Sequence, residues 1–167
     1  MRKCKIGLLL LLCICFCMGG LVSCSSEKLS VRLKMYNMEC SVEIPDDWEG
    51  KYLIEETETG NSVHFIHKAT YDKYGAGSGS IFYLVSENPA DIELEEYNGF
   101  TMLKDSPVPL KLVLEKSDKM IFCGEPTDVQ CPAEWEENPD AEIAAIAKEY
   151  REMCEDMEVI CETAKWE

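Results

Sequence analysis

The stretch that decides the fold is NPDAEIAAIAKEYREMCEDMEVICE, residues 138–162. Ile143, Ile146, Ala147, Tyr150, Met153, Cys154, Met157, Ile160 and Cys161 recur at spacings of three and four. That period places them on one stripe of an α-helix about five turns long. Glu149, Arg151, Glu152, Glu155, Asp156, Glu158 and Glu162 fall elsewhere around it. At its start, Asn138 is the expected N-cap and Pro139 the first helical residue, while Asp140 and Glu142 suit the positive end of the helix dipole. A helix with one apolar stripe must lie against something apolar.

Working back from this helix, the period changes to two. Met38, Cys40, Val42 and Ile44 alternate with Glu39, Ser41 and Glu43, the pattern of a half-buried strand. Residues 51–56 and 62–68 read as two strands joined through Glu58-Thr59-Gly60-Asn61. Residues 69–79 read as a loop rich in Gly and Tyr. The run Ile81-Phe82-Tyr83-Leu84-Val85 is apolar enough for a central strand over 80–86. Asn88-Pro89 suits a short helical turn extending to Glu96, followed by a strand over 99–104. Pro107 and Pro109 exclude regular structure between them. Residues 110–115 and 120–123 form a hairpin around Lys116-Ser117-Asp118-Lys119, and a polar stretch with Trp135 leads to the helix. The fold class is α+β: a mostly antiparallel sheet with a long C-terminal amphipathic helix packed on one face.

The other end of the chain reads as an address. Arg2, Lys3 and Lys5 precede an apolar run over residues 6–18. That run fits a signal-peptide core and is short for a transmembrane helix, which needs about 20 residues. Gly19-Gly20 breaks it, and Leu21-Val22-Ser23-Cys24 follows. This tetrapeptide resembles the lipobox of bacterial lipoproteins. The resemblance implies cleavage before Cys24 and a thioether link from Cys24 to diacylglycerol. An ordinary cleaved signal lacks its A-x-A site here, and an uncleaved anchor would need a longer run. The organisation is then a lipoprotein signal peptide over 1–23, a lipidated Cys24 with a short tether over 24–34, and a single domain over 35–167. The place implied is the cell membrane, lipid-anchored, on the extracytoplasmic face.

Two further stretches, Val42-Glu43-Ile44-Pro45-Asp46-Asp47-Trp48-Glu49-Gly50-Lys51-Tyr52 and Pro126-Thr127-Asp128-Val129-Gln130 before the helix, carry a second resemblance. They are similar to small secreted or lipid-anchored proteins of clostridia-like Gram-positive bacteria. The strand followed by Pro-x-x-Trp also resembles PsbP-like domains, which are α+β sandwiches. Neither resemblance implies a catalytic residue. The Pro126–Gln130 segment reads as a structural turn in which Thr127 or Asp128 caps local backbone amides.

Charge excludes whole classes of partner. The chain has 167 residues, 16 Lys+Arg against 32 Asp+Glu, and a formal charge of −16. The signal holds three basic residues and no acid, so its loss takes the charge to −19. Nucleic acid and anionic headgroups both require positive charge, so neither is a partner. Attachment to the membrane falls to lipid at Cys24. Hydrophobic content of 46% excludes disorder.

Ten cysteines include four within the signal. Beyond Cys24, five remain (Cys40, Cys123, Cys131, Cys154 and Cys161), so complete internal pairing is impossible. Cys154 and Cys161 lie about 10 Å apart along one helix and cannot pair. Cys123 and Cys131 flank a turn-rich segment that allows them to meet. Most of the five read as small buried hydrophobes.

Candidate chemistry is sparse. His64 and His67 form H-x-x-H, but in a strand a separation of three places them on opposite faces, which excludes a metal pair. They read as edge or surface residues. Two acidic groups, Glu134, Glu136, Glu137 with Asp140 and Asp46, Asp47 with Glu49, read as solvated surface rather than cation sites. Gly75-Ala76-Gly77-Ser78-Gly79 lacks a phosphate-loop pattern and reads as a flexible loop. No motif for a nucleophile, a metal or a cofactor appears. Trp48, Tyr71, Tyr74, Tyr83 and Trp135 are the aromatics available for a ligand or partner groove, although such residues more often build core. The expected function is a non-catalytic binding module facing a protein, a peptide or a cell-envelope component. The alternative is an envelope enzyme or enzyme accessory with a carboxylate site that carries no motif.

Overall fold

The computed structural model describes residues 29–35 and 38–167. The stretch read as a signal peptide, Cys24 and the beginning of the expected tether lie outside the described residues. Two sheets and one long helix make up the architecture. Strands β1 (Leu29–Met35), β2 (Met38–Ile44) and β10 (Lys165–Trp166) form a small sheet in the order β1-β2-β10. Strands β3 (Tyr52–Glu56), β4 (Ser62–His67), β5 (Ser80–Glu87), β6 (Leu94–Tyr97), β7 (Phe100–Leu103), β8 (Leu110–Lys116) and β9 (Lys119–Gly124) form a seven-stranded sheet. Its order is β3-β4-β5-β9-β8-β7-β6, and every pairing is antiparallel. Helix α1 (Lys68–Tyr74) follows β4, and α2 (Ala141–Glu162) closes the domain. The fold is α+β, with the C-terminal helix on the sheet. Among the described residues no helix is long and apolar enough to cross a membrane.

Strand alternation divides the large sheet into an inner and an outer face. Phe65, Phe82, Leu84 and Ile121 point inward. They join Leu33, Met35, Val42 and Ile44 of the small sheet and Ile146, Tyr150, Met153 and Ile160 of α2 in one buried cluster. Tyr83, Val85, Leu110 and Phe122 point the other way and form a second, smaller cluster. The apolar stripe of α2 is therefore buried as its spacing requires, and its charged residues stay at the surface.

Several elements depart from the sequence expectation. The folded domain begins within the tether assigned to 24–34, because Leu29–Met35 pairs along the whole of β2. The Gly- and Tyr-rich stretch read as a loop starts with α1, which ends at Gly75 with φ +90°. Gly79 is not a flexible hinge. Its carbonyl accepts from His67 N (2.7 Å), its N–H donates to Gln130 O (2.7 Å), and a Cβ there would lie 2.8 Å from His67 O. The turn after Asn88 spans only Pro89–Asp91, because Leu94–Tyr97 is taken as a strand by β7. The two-residue connection is Asn98-Gly99, both at positive φ, which is the preferred hairpin chemistry. At α2 the N-cap is Asp140, whose Oδ1 accepts from Ile143 N at 2.9 Å. Asp140 is extended (φ −69°, ψ 175°), so Asn138 and Pro139 precede the helix.

Cysteine pairing also differs. Cys123 bonds Cys161, with Cα atoms 6.7 Å apart. Cys123 sits on the inner face of β9, which faces the stripe of α2, whereas Cys131 lies beside Thr70 and accepts from its hydroxyl at 3.5 Å. Cys40, Cys131 and Cys154 are free.

Candidate functional site

The outer face of the seven-stranded sheet carries two adjoining recesses. The first, about 890 Å³, lies between β4, β5 and β8 and the segments over 90–93 and 103–108. The second, about 650 Å³, lies between β3, β4 and the 125–130 segment. They meet at His64, Tyr83 and Val108. His64 and Tyr83 face each other across the β4–β5 ladder, and their rings stack at 5.1 Å and 23°. Ser62 Oγ holds His64 Nε2 at 3.1 Å. The end of the Tyr83 ring reaches over residue 124 because that residue is glycine: a Cβ would stand 2.6 Å from Tyr83 Cζ and 2.6 Å from Leu110 Cδ2. Side chains that face each other across a ladder are natural contact pairs, and here they make an aromatic floor.

The electrostatics of this floor are one-sided. Four carboxylates line the first recess (Glu87, Asp91, Glu93 and Asp105) and five line the second. Lys104 is the one Lys or Arg lining either, and it donates to Glu93. Burial lowers the His64 pKa more than the nearby Glu55 raises it, which favours a neutral ring at pH 7. Burial, reinforced by the charge of Asp91, raises the Glu87 carboxyl. Ser80 lines the second recess, and its shielded hydroxyl has no hydrogen-bond partner.

The inner face holds a hydrogen-bonded chain that looks like catalytic equipment. His67 Nδ1 pairs with Thr70 Oγ1 at 2.8 Å, and Nε2 pairs with Glu149 Oε1 at 3.0 Å. Lys51 Nζ donates to Glu149 Oε2 at 3.1 Å. Burial pushes the Glu149 pKa up, but the hydrogen bonds and charges of His67 and Lys51 outweigh it and leave the carboxyl low. His67 and Thr70 are wholly buried, and neither lines a recess described here. A nucleophile must be reachable, so this chain is a clamp joining β4 and α1 to α2. The two histidines do lie on opposite faces, but His67 is a core residue rather than an edge or surface one.

The remaining aromatics scatter. Trp48 is core: its indole N–H donates to Asp156 Oδ2 at 3.0 Å and ties the 46–48 turn to α2. Tyr71 and Tyr74 are half-buried on α1, and Tyr74 donates to Glu136 Oε1 at 3.0 Å. Trp135 is 73% exposed at the end of a short turn. None of these four lines either outer-face recess; of the five aromatics read from the sequence, Tyr83 does. His64 is the residue that sequence reasoning missed, and its partner across the ladder supplies the signal. In the Pro126–Gln130 segment the capping residue is Gln130, whose Oε1 accepts from Ser80 N at 3.1 Å. Asp128 orients that side chain by accepting from Nε2 at 2.7 Å.

A third recess of about 430 Å³ opens beside the disulfide, between Phe100, Met102 and Met157. Lys111 spans it, over the Phe100 ring at 3.8 Å and bonded to Glu158 at 3.0 Å. Two of the three free thiols offer little reactivity. Burial, above all, pushes Cys40 and Cys154 up to about 11, so both stay protonated at neutral pH. Among the described residues no group of three or more metal-ligating side chains is found. No protein family, curated protein or solved structure matches the chain.

Proposed function

We propose that the chain is a lipid-anchored extracytoplasmic lipoprotein whose domain is a non-catalytic binding module, and that its ligand surface is the outer face of the large sheet. The observation that carries this reading is the contrast in access. The open recesses hold an aromatic floor and carboxylates, while in the Thr70–His67–Glu149 hydrogen-bond chain the hydroxyl and the imidazole are shut in the core. Large recesses with a few convergent polar groups are where ligands bind. The anchor rests on Leu21-Val22-Ser23-Cys24, and two acyl chains hold a domain stably at a membrane. An acidic domain gains nothing from anionic headgroups, so the lipid must do the holding.

The test has two arms. Cys24→Ala is expected to leave unprocessed precursor without lipid label; processed, unlabelled protein retained at the membrane overturns the anchor. A photo-crosslinker at Ser106, beside the first recess, is expected to give adducts in intact cells. The same crosslinker at Glu155 on α2 is expected to give none. The reverse pattern removes the outer face from the proposal.

An envelope enzyme is the second reading, favoured by Glu87, a carboxyl raised by burial beside the charge of Asp91. It requires turnover of a cell-wall substrate that disappears in Glu87→Gln.

A further inference from the structure

We infer that the two outer-face recesses act as one site for an extended cationic peptide, whose Lys or Arg side chains pass over the His64–Tyr83 pair toward Glu87 and Asp91. This rests on the outer face being the ligand surface, and it names the ligand class.

Three independent features support it. The recesses adjoin at His64, Tyr83 and Val108, so an extended ligand can run from one into the other. Their shared floor is a stacked ring pair, and aromatic faces attract cations when water is displaced. The lining carries nine carboxylates against one lysine, and that lysine is already held by Glu93. A cleft lined by one sign of charge concentrates the opposite sign. An anionic ligand would add to that crowding of like charge.

The experiment uses the full-length protein extracted from membranes and a fluorescein-labelled (Lys-Ala)₅ decapeptide, read by anisotropy and by the ring resonances of His64 and Tyr83. Binding is expected, with affinity falling about tenfold as salt rises from about 50 to 300 mM. A (Glu-Ala)₅ peptide is expected not to bind. Glu87→Gln with Asp91→Asn is expected to weaken binding about tenfold. Glu155→Gln with Glu162→Gln removes as much charge from α2 and is expected to change it less than about twofold. Equal losses in the two double variants overturn the site, since general attraction to an acidic protein would explain them. Spermine binding as tightly as the decapeptide overturns the peptide assignment. A neutral chitooligosaccharide that moves the His64 and Tyr83 resonances, where the basic peptide does not, overturns the cationic class but leaves the outer face as the ligand surface. The crosslinking result from Ser106 is scored separately, so loss of the surface and loss of the ligand class are distinguishable.

Discussion

Phe82 and Tyr83 are neighbours on β5 and lie on opposite faces of the same sheet. Phe82 is wholly buried and stacks on Phe65 at 4.4 Å, with α2 and the small sheet closing over that face. Tyr83 is half-buried and stacks on His64, with open recesses above it. The polar groups differ in the same way. On the inner face they hold elements together: His67 to Glu149, Trp48 to Asp156, and Tyr150 Oη to Ser80 O at 2.9 Å. On the outer face the carboxylates mostly face solvent. One face is built for stability, and the other leaves its aromatic and acidic groups available.

The largest expected effect tests the inner face. Phe82→Ala should cost about 4 kcal/mol in urea unfolding, from lost burial and the cavity left behind. Tyr83→Ala should cost less than half as much; equal costs would break the contrast between the faces. Next comes the covalent tie. Replacing Cys123 and Cys161 together by Ser opens a loop of sequence separation 38 and should cost about 3 kcal/mol. His67→Ala removes a buried side chain and its hydrogen bond to buried Thr70, and should cost about 2 kcal/mol, with no loss of peptide binding. Binding lost at unchanged stability would make the inner clamp part of the site.

Two smaller effects sharpen the comparison. Gly124→Ala forces the Tyr83 ring to move, at about 1 kcal/mol. The His64–Tyr83 ring contacts should weaken in nuclear Overhauser spectra, and peptide affinity should fall with them. The smallest effect is the acid limb. Glu149 has its pKa held low in the folded state, so its contribution is present above the ordinary glutamate range and is lost as pH falls through the folded value. Glu149→Gln should flatten the fall in stability on the acid side of the ordinary glutamate range by under about 1 kcal/mol, its carboxylate being partly exposed.

What was legible in the sequence follows the same division. β2 and α2 bury a regular face, so their periods show in the residue order, while β5 is buried on both faces and shows as an unbroken apolar run. Helix α1 buries only Thr70, and so has no apolar period to read. All four residues of β6 are exposed, and its signal lay in the Asn98-Gly99 turn rather than in alternation. β10 is two residues long and exists because β2 offers an edge. The disulfide depends on which strand faces which helix, and residue spacing does not fix that. The candidate site was the least legible part. Its floor needs His64 and Tyr83 side by side, 19 positions apart, and its walls come from 88–109 and 125–130, which carry no repeat. Trp48 and Trp135 stood out as letters, yet one became core and the other lies on the surface away from the recesses.

The small sheet has a mechanical consequence. β1 is an edge strand, and it is the part of the described domain nearest in sequence to the proposed anchor. Five residue steps separate Cys24 from Leu29, a reach of at most about 18 Å. A ligand pulled away from the membrane would load the large sheet, while the lipid would hold β1. The force between them would run through the ladder from Leu29↔Ile44 to Met35↔Met38. That load enters at Leu29, one end of the ladder, so it would peel the pairs in sequence rather than shear them together. Under tension the outer pairs, Leu29 to Arg32, would then yield before Leu33 and Met35, which are held in the core, and the leash would lengthen before the large sheet lost its shape.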